Sequence, residues 1–513
     1  MPSRIVIRPR EYHDSVRLMR ASETIRHEAG VTEAMTMMAT ANNKKILATS
    51  GLLSEDVQAA NPDDLIIAVR ANTEDAADRA IAAAQDFLSR KTQNSQQALL
   101  PRSIEAACTL RPDISLACIS VPGTYAFREV KRALELGLNV FLFSDNVSRD
   151  DERQLKELAG QRNRLLMGPD CGTALINGVG LGFANAVKPG RVGIVGASGT
   201  GTQEISSLLD WLGTGVSHAI GTGGRDLQQE IGGLTMLQGL SLLNADVDTD
   251  VIVVTSKPPH PEIADRVSAF CETLNKPVII NFVGQSHTGE KGNIAFTRTL
   301  AETAVTAARI LNPNCHLPQL SAPEQDSFIA RAKAARQPSQ RYLRGLYAGG
   351  TLCYEALFLL RDHVGGIYSN LEHGPFELTD LFASRENTVI DLGDDAYTEG
   401  RAHPMIDPTV RNQRILTEAR DPEVALLLMD LVIGYGAHEN PAAQLAETIV
   451  KAREITRADG RELPVIVTIC GTRNDIQNYA KQAEQLRAAN ILVTGNNAEA
   501  VMIASRYLET LHD

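Results

Sequence analysis

The chain says one thing twice, and that repeat limits what it can fold into. Residues 191–209 read RVGIVGASGTGTQEISSLL and residues 344–360 read RGLYAGGTLCYEALFLL. Each is a short apolar run, a Gly/Thr-rich turn, then Glu204 or Glu355 opening a helical pattern. Downstream, KPVIINFVG (276–284) echoes LPVIVTICG (463–471), with the same spacing from Pro277 to Gly284 as from Pro464 to Gly471. A strand that runs through a glycine turn into a helix leaves unpaired N–H groups at the positive end of the helix dipole, where an anion is stabilised. Two such units predict two helix tips that share one negatively charged group.

Length adds that one core is not enough. A chain of 513 residues is expected to divide into about three or four domains. The net charge of -12, without a basic run, argues against nucleic acid or an anionic membrane as the main partner. No apolar run reaches the roughly 18 residues of a membrane span, and no signal-peptide pattern opens the chain. The seven cysteines are odd in number and scattered, with no CxxC, so a reduced cytoplasmic protein is expected.

The pattern along the chain divides into four pieces. Residues 1–90 predict a small α+β domain, with a strand at Ile5–Arg8, a helix over Tyr12–Glu28 and an alanine-rich amphipathic helix over Glu74–Leu88. Residues 90–102, RKTQNSQQALLPR, read as a linker. Residues 103–188 alternate strand and helix and predict a Rossmann-like parallel sheet whose ligands sit at the carboxyl ends of the strands. Residues 191–311 and 342–513 carry the two copies of the repeat, joined by a polar connector over 318–341.

GASGTGT (196–202) and AGGT (348–351) are the leading anion sites, through backbone and hydroxyl donors. Neither is a Walker A loop, because no Gly-Lys-Ser/Thr follows. Neither is GxGxxG with the usual acidic partner, so no nicotinamide site is predicted. GPDCGT (168–173) places Asp170 and Cys171 just past a strand; with no base in sight for the thiol, it reads as a structural loop before a catalytic one. GDDAYTEGRAHPMIDP (393–408) gathers Asp394, Asp395, Glu399, Arg401, His403 and Asp407 just after a strand, where the first copy carries GTGGRD (221–226). Arg401 is placed to hold a small anion and His403 to transfer protons. His287 in FVGQSHTGEKG reads as a bystander, and no His/Cys/Asp spacing suggests a metal.

These residues also resemble a known family. RVGIVGASGTGTQE, GTGGRDL, VIVVTSKPP and KPVIINFVG resemble the ligase domain of the succinyl-CoA synthetase alpha subunit. ISVPGTYAFREVKRALELGLNVFLFSDN and GPDCGT resemble the CoA-binding domain that precedes it. The second copy resembles the equivalent beta-subunit domain, and the fused order, with EGRAHPMIDP, is similar to the FdrA family of acyl-CoA-synthetase-like proteins across essentially the whole chain. In the synthetases two helix tips cradle a phosphohistidine. The resemblance implies that Ser198, Gly199 and Thr200 supply one tip and Gly349, Gly350 and Thr351 the other. It also implies CoA as a cofactor, with Pro122, Gly168, Asp170, Cys171, Gly223 and Gly224 as candidate substrate or CoA contacts.

Three departures stand out. The synthetases' Gly-His-Ala-Gly segment has no counterpart: the chain passes from Gly284 through SHTGEKGN to a helix expected over Ala295–Ile310. The glycine-rich first turn of the CoA-binding domain is replaced by IEAACTLRPD (104–113). No ATP-grasp domain is evident, because the N-terminal piece is too short.

The expectation is therefore an α/β protein: a small N-terminal α+β domain, a Rossmann-like CoA-binding-type domain and two repeated flavodoxin-like, succinyl-CoA-synthetase-like domains. Its activity would be group transfer to or from a small carboxylate through an acyl-CoA or acyl-phosphate-type species, with His403, Arg401 and Asp407 as catalytic candidates. Some FdrA members are implied to be subunits of an oxamate carbamoyltransferase, and a non-catalytic ligand-binding subunit is the competing class. Small carboxylates or phosphorylated small molecules are the expected ligands. A homo-oligomer or a complex with a partner subunit is the expected assembly.

Overall fold

The computed structural model describes residues 1–11, 13, 15–89, 101–285, 287–398 and 401–511. Residues 90–100 of the expected linker at 90–102, together with Glu399 and Gly400 of the polar loop, lie outside the described residues. The chain forms two compact units, one of Met1–Leu100 with Leu392–Gln413, the other of Pro101–Asp391 with Arg414–Asp513. Among the described residues, no helix is long and apolar enough to cross a membrane.

The first unit is built on three antiparallel strands in the order Ser3–Arg8, Leu65–Ala71, Val31–Met38. LIIAVRA (65–71) is a near-continuous apolar run because the central strand is buried on both faces. Ile5, Ala68 and Met35 stand in one cross-strand row. Helix Glu74–Ser89 turns a stripe of Ala76, Ala77, Ala80, Ile81, Ala84 and Leu88 inward at three- and four-residue spacing. Thr73 Oγ1 accepts the Ala76 N–H at 3.2 Å, and Glu74 and Asp75 complement the helix dipole. The helix expected over Tyr12–Glu28 spans Ser15–Arg26 and adds Leu18 and Ile25 to the same core.

The second unit holds three sheets. Strands Leu116–Ile119, Asn139–Leu142 and Leu166–Met167 are parallel, so their carboxyl ends open on one edge. The two copies of the repeat then form separate sheets. In the first, parallel neighbours run Val278–Phe282, Val251–Ser256, Pro189–Ala197, Val216–Gly221. In the second they run Val465–Cys470, Val424–Val432, Tyr342–Tyr347, Thr388–Asp391. The strand before the glycine turn occupies the same place in both, and so does each of its neighbours. The sequence repeat is therefore a repeat of sheet order.

One element differs from expectation. Residues 289–296 form a hairpin, Gly289–Lys291 against Ile294–Phe296, and the helix begins only at Leu300. Thr299 accepts the Glu302 N–H at 3.0 Å and fixes that start. Ile294 and Phe296 pair with Val278 and Ile280, so sheet extension overrides the helical propensity around Ala295.

Candidate functional site

The two repeated turns meet within the second unit. Ser198 has extended φ and caps helix Gly199–Trp211, its Oγ accepting the Gly201 N–H at 3.0 Å. The same Oγ lies 2.6 Å from Thr351 Oγ1, on the first turn of helix Gly350–Val364. The Thr351 N–H reaches Thr200 Oγ1 at 3.3 Å. Close approach favours glycine here. A Cβ on Gly201 would lie 2.3 Å from Ser198 Oγ, and one on Gly349 would lie 3.0 Å from Thr200 Cγ2. Ser198, Thr200, Gly349, Gly350 and Thr351 thus come together, and Gly199 opens the first helix beside them.

Charge distinguishes the two tips. Asp430, from the buried strand Val424–Val432, accepts the Ala348 N–H at 2.8 Å and the Gly349 N–H at 2.6 Å. The second tip is thus neutralised by a carboxylate of its own sheet. The first tip keeps the N–H groups of Gly199 and Thr200, which have no intrahelical acceptor. Lys257 supplies a cation: a Cβ on Gly350 would lie 3.1 Å from its Nζ and 2.4 Å from Asp391 Oδ2. Its ammonium also lies 5.8 Å from the Tyr354 ring centroid. The sequence reading passed over Lys257, Asp391 and Asp430. Lys257 carried a signal, as a cation directly after VIVVTS, and Asp430 did too, as the lone acid in LLLMDLVI.

One turn deeper lie Glu204 and Glu355, equivalent positions of the two copies, both buried. Glu355 accepts the Leu300 N–H at 2.7 Å and an Asn497 Nδ2 proton at 2.8 Å. The Asn497 N–H donates to Glu204 at 3.3 Å, and the Cys470 thiol also donates to it. Burial, reinforced by Glu355, pushes the Glu204 carboxyl up to about 8, and burial raises Glu355 too. Glu204 is therefore a carboxylic acid near neutrality.

The GPDC and GTGG loops also meet. Pro122 caps helix Gly123–Glu135 on the carboxyl edge of the small parallel sheet, the edge from which the GPDC loop emerges. The Asp170 N–H donates to Ser144 O at 2.9 Å. A Cβ on Gly223 would lie 2.1 Å from Pro169 O, and one on Gly224 would lie 3.4 Å from Asp170 Oδ2. Cys171 is buried, donates to Thr173 O at 3.5 Å, and has its thiol pushed up to about 12 by burial. A thiol so raised is protonated near neutral pH, which disfavours attack as a thiolate. Behind the loops, Lys156 bonds Thr222 O at 2.9 Å and Asp226 Oδ1 at 2.6 Å, while Asp226 caps helix Leu234–Ala245 through Thr235 and Met236 N–H. The Asp of GTGGRD is thus a structural anchor.

Arg401, His403 and Asp407 belong to the first unit and the helix tips to the second. His403 Nδ1 accepts the Met405 N–H at 3.2 Å, and its carbonyl accepts from Ile406 and Asp407, so the histidine organises its own turn. Asp407 Oδ1 accepts both the N–H and hydroxyl of Thr409, at 3.0 and 2.5 Å. Arg401 Nε donates to Asn43 Oδ1. His287 is exposed and packs edge-on against Phe296, with ring centroids 4.8 Å apart.

A CoA-ligase family model matches residues 346–507, a CoA-binding domain model matches 187–289, and a model described as AllF, heavy metal-associated domain, matches 1–102. The CoA-binding match falls on the first repeat copy. Soft heavy metals take thiolate or thioether ligands; residues 1–102 contain no cysteine and offer methionines alone of that class. Among the described residues, no group of three or more His, Cys, Asp or Glu is placed to hold a metal ion. The chain is 41% identical to the uncharacterized protein YahF of Escherichia coli (strain K12), over 99% of each chain. It is 29% identical over 175 residues to succinate–CoA ligase [ADP-forming] subunit alpha 2 of Archaeoglobus fulgidus, covering 33% of this chain and 58% of that one. The chain therefore spans little more than half of that subunit. A dinucleotide forming acetyl-coenzyme A synthetase 1 from Ca. Korarchaeum cryptofilum aligns over 77% of this chain and 83% of its own at 18% identity, with a TM-score of 0.27. With a full-length relative at this identity, and with CoA-ligase and CoA-binding domains in one polypeptide, the chain belongs to the FdrA-like family of acyl-CoA-synthetase-like proteins that includes YahF.

Proposed function

We propose that this chain carries out group transfer to or from a small carboxylate through an acyl-phosphate-type species, with CoA as the acyl acceptor. The observation that carries the reading is the meeting of the two helix tips, Ser198 Oγ to Thr351 Oγ1, beside the Lys257 ammonium. The Gly199 and Thr200 amides, the Ser198 and Thr351 hydroxyls and Lys257 would hold the phosphate. In the transfer, the CoA sulfur attacks the acyl carbonyl and the thiol proton passes to the departing phosphate, which leaves as hydrogen phosphate. The C–S bond forms, the C–O bond to phosphate breaks, and the electron pair leaves on phosphate. Donors already aimed at that leaving group lower the barrier without reorganising. Asp430 holds the second tip in shape but repels the anion, which puts the phosphate on the Gly199 side.

A second reading is carbamoyl transfer between phosphate and a small carboxylate. The hairpin at 289–296, in a chain that lacks the Gly-His-Ala-Gly segment, favours it, because that chemistry needs a phosphate cradle and no phosphohistidine.

Titration of the full chain with CoA, acetyl phosphate, carbamoyl phosphate and inorganic phosphate, followed by thermal shift, tests both. A specific ligand at about 100 times its dissociation constant adds about 2.7 kcal/mol of stability. Stabilisation by CoA and by acetyl phosphate, with the phosphate effect lost in Lys257→Met, supports acyl transfer. Stabilisation by carbamoyl phosphate without CoA supports the second reading. No phosphate-dependent shift that Lys257→Met removes would sink both.

A further inference from the structure

The first unit contains a cavity that the helix-tip reading does not use. It lies among helix Ser15–Arg26, strand Val31–Met38 and the loop 401–410, and it measures about 440 Å³ counting its open mouth. Its water-accessible interior is about 30 Å³, room for about two or three waters. Met19, Met35, Met37 and Ile46 give it an apolar wall.

Two polar atoms lining it are orphaned. Arg401 Nη2 and Thr36 Oγ1 are both sealed from bulk solvent, and neither has a hydrogen-bond partner. A buried guanidinium nitrogen without an acceptor is costly, and native structures seldom keep one without a ligand, a water or an ion to satisfy it. Burial lowers the Arg401 guanidinium to about 10, a shift only partly offset by Asp407. Asp407 accepts from Thr409 through Oδ1, and its charge also faces Arg401. Arg26 is engaged with Ala34 O at 3.1 Å and Thr409 Oγ1 at 3.0 Å. Two guanidinium groups and one carboxylate thus leave one positive charge at the cavity, and Arg401 carries the open donor.

We infer that this cavity is a binding site for a short monocarboxylate, its oxygens accepting from Arg401 Nη2 and Thr36 Oγ1 and its one or two carbons lying against the methionines. The charge balance selects a monoanion over a dianion. The small interior excludes long acyl chains, and the apolar wall disfavours a fully hydrated inorganic anion. The methionine side chains adjust to small differences in ligand shape. This inference is independent of the helix-tip reading.

The test is calorimetric titration of the full chain with acetate and propionate, with acetamide, malonate and inorganic phosphate as controls. Acetate and propionate are expected to bind, and acetamide, which has acetate's shape without its charge, is not. Arg401→Met should weaken acetate roughly 10- to 100-fold, the range for a lost charge-assisted hydrogen bond. Thr36→Val, which preserves shape, should weaken it by roughly fivefold. Thr36→Val also keeps the test decisive if Arg401→Met fails to fold. Acetate binding that Lys257→Met removes, and that the Arg401 and Thr36 variants leave intact, would place the ligand at the tips and overturn the inference. Equal binding of acetamide and acetate, no binding of acetate, or unchanged affinity in Thr36→Val and every folded Arg401 variant overturns the inference.

Discussion

Ser198 Oγ and Thr351 Oγ1, one from each copy of the repeat, lie 2.6 Å apart in the interior of the second unit. Each sits at the start of its helix, so this hydrogen bond ties two helix N-termini whose dipoles repel. Thr351→Val keeps the shape and removes the bond. Stability should fall by about 1–2 kcal/mol, with the Ser198 cap on Gly201 retained. Urea unfolding of the two proteins measures this, and an unchanged midpoint would show that the contact contributes nothing.

Asp430 sets how negative the junction is. Asp430→Asn removes one charge while keeping one acceptor for the Ala348 or Gly349 N–H. The folded protein should lose about 1–3 kcal/mol, and its affinity for inorganic phosphate should rise roughly tenfold as the repulsion goes. Tighter phosphate binding in a less stable protein is the signature to look for in a titration. Weaker binding would mean that Asp430 positions the donors more than it repels the ligand.

The pH dependence of stability should bear the mark of Glu204. Its carboxyl is raised from 4.5 to about 8 in the folded state, so the native protein binds the proton more tightly than the unfolded chain does. That contribution is fully present below about pH 4.5 and is lost as pH rises through about 8. Within this window each pH unit costs up to about 1.4 kcal/mol from this group. Glu204→Gln stays neutral, so its stability should decline less between pH 5 and pH 8 than that of the parent. Parallel pH profiles for the two proteins would contradict the assignment.

Cysteine labelling separates loop from nucleophile. With its thiol near 12 and buried, Cys171 should resist iodoacetamide at pH 8 in the native state and react only on unfolding. Cys118 is exposed and should label first. Mass-spectrometric mapping of the modified residues decides the matter. Rapid native labelling of Cys171 would reopen a covalent role for it.

The repeat was legible because its carriers are local: glycine spacing, hydroxyls at the cap and a glutamate one turn on. Those same features dictate how strand turns into helix, so reading them reads the tips. Lys257 and Asp430 were missed because their roles depend on which strands become neighbours, and no spacing along the chain encodes that. The helix expected from Ala295 failed for a related reason. Ile294–Phe296 had an open sheet edge to extend, at Val278–Ile280, and edge pairing outweighs a weak propensity. The polar loop around Arg401 reads as one dense cluster in sequence. In the structure, His403 Nδ1 and Asp407 Oδ1 accept from their own turn, and Arg401 Nη2 keeps an open donor.

The tips that meet at Ser198 and Thr351 are joined by about 150 residues of one polypeptide, including the helix Ala322–Ala335 between the two sheets. Their encounter is intramolecular, governed by a fixed effective concentration and not by how much protein a cell makes. Dilution cannot pull such a junction apart, and an excess of one half cannot accumulate without the other. A junction built from two separate chains would have neither property.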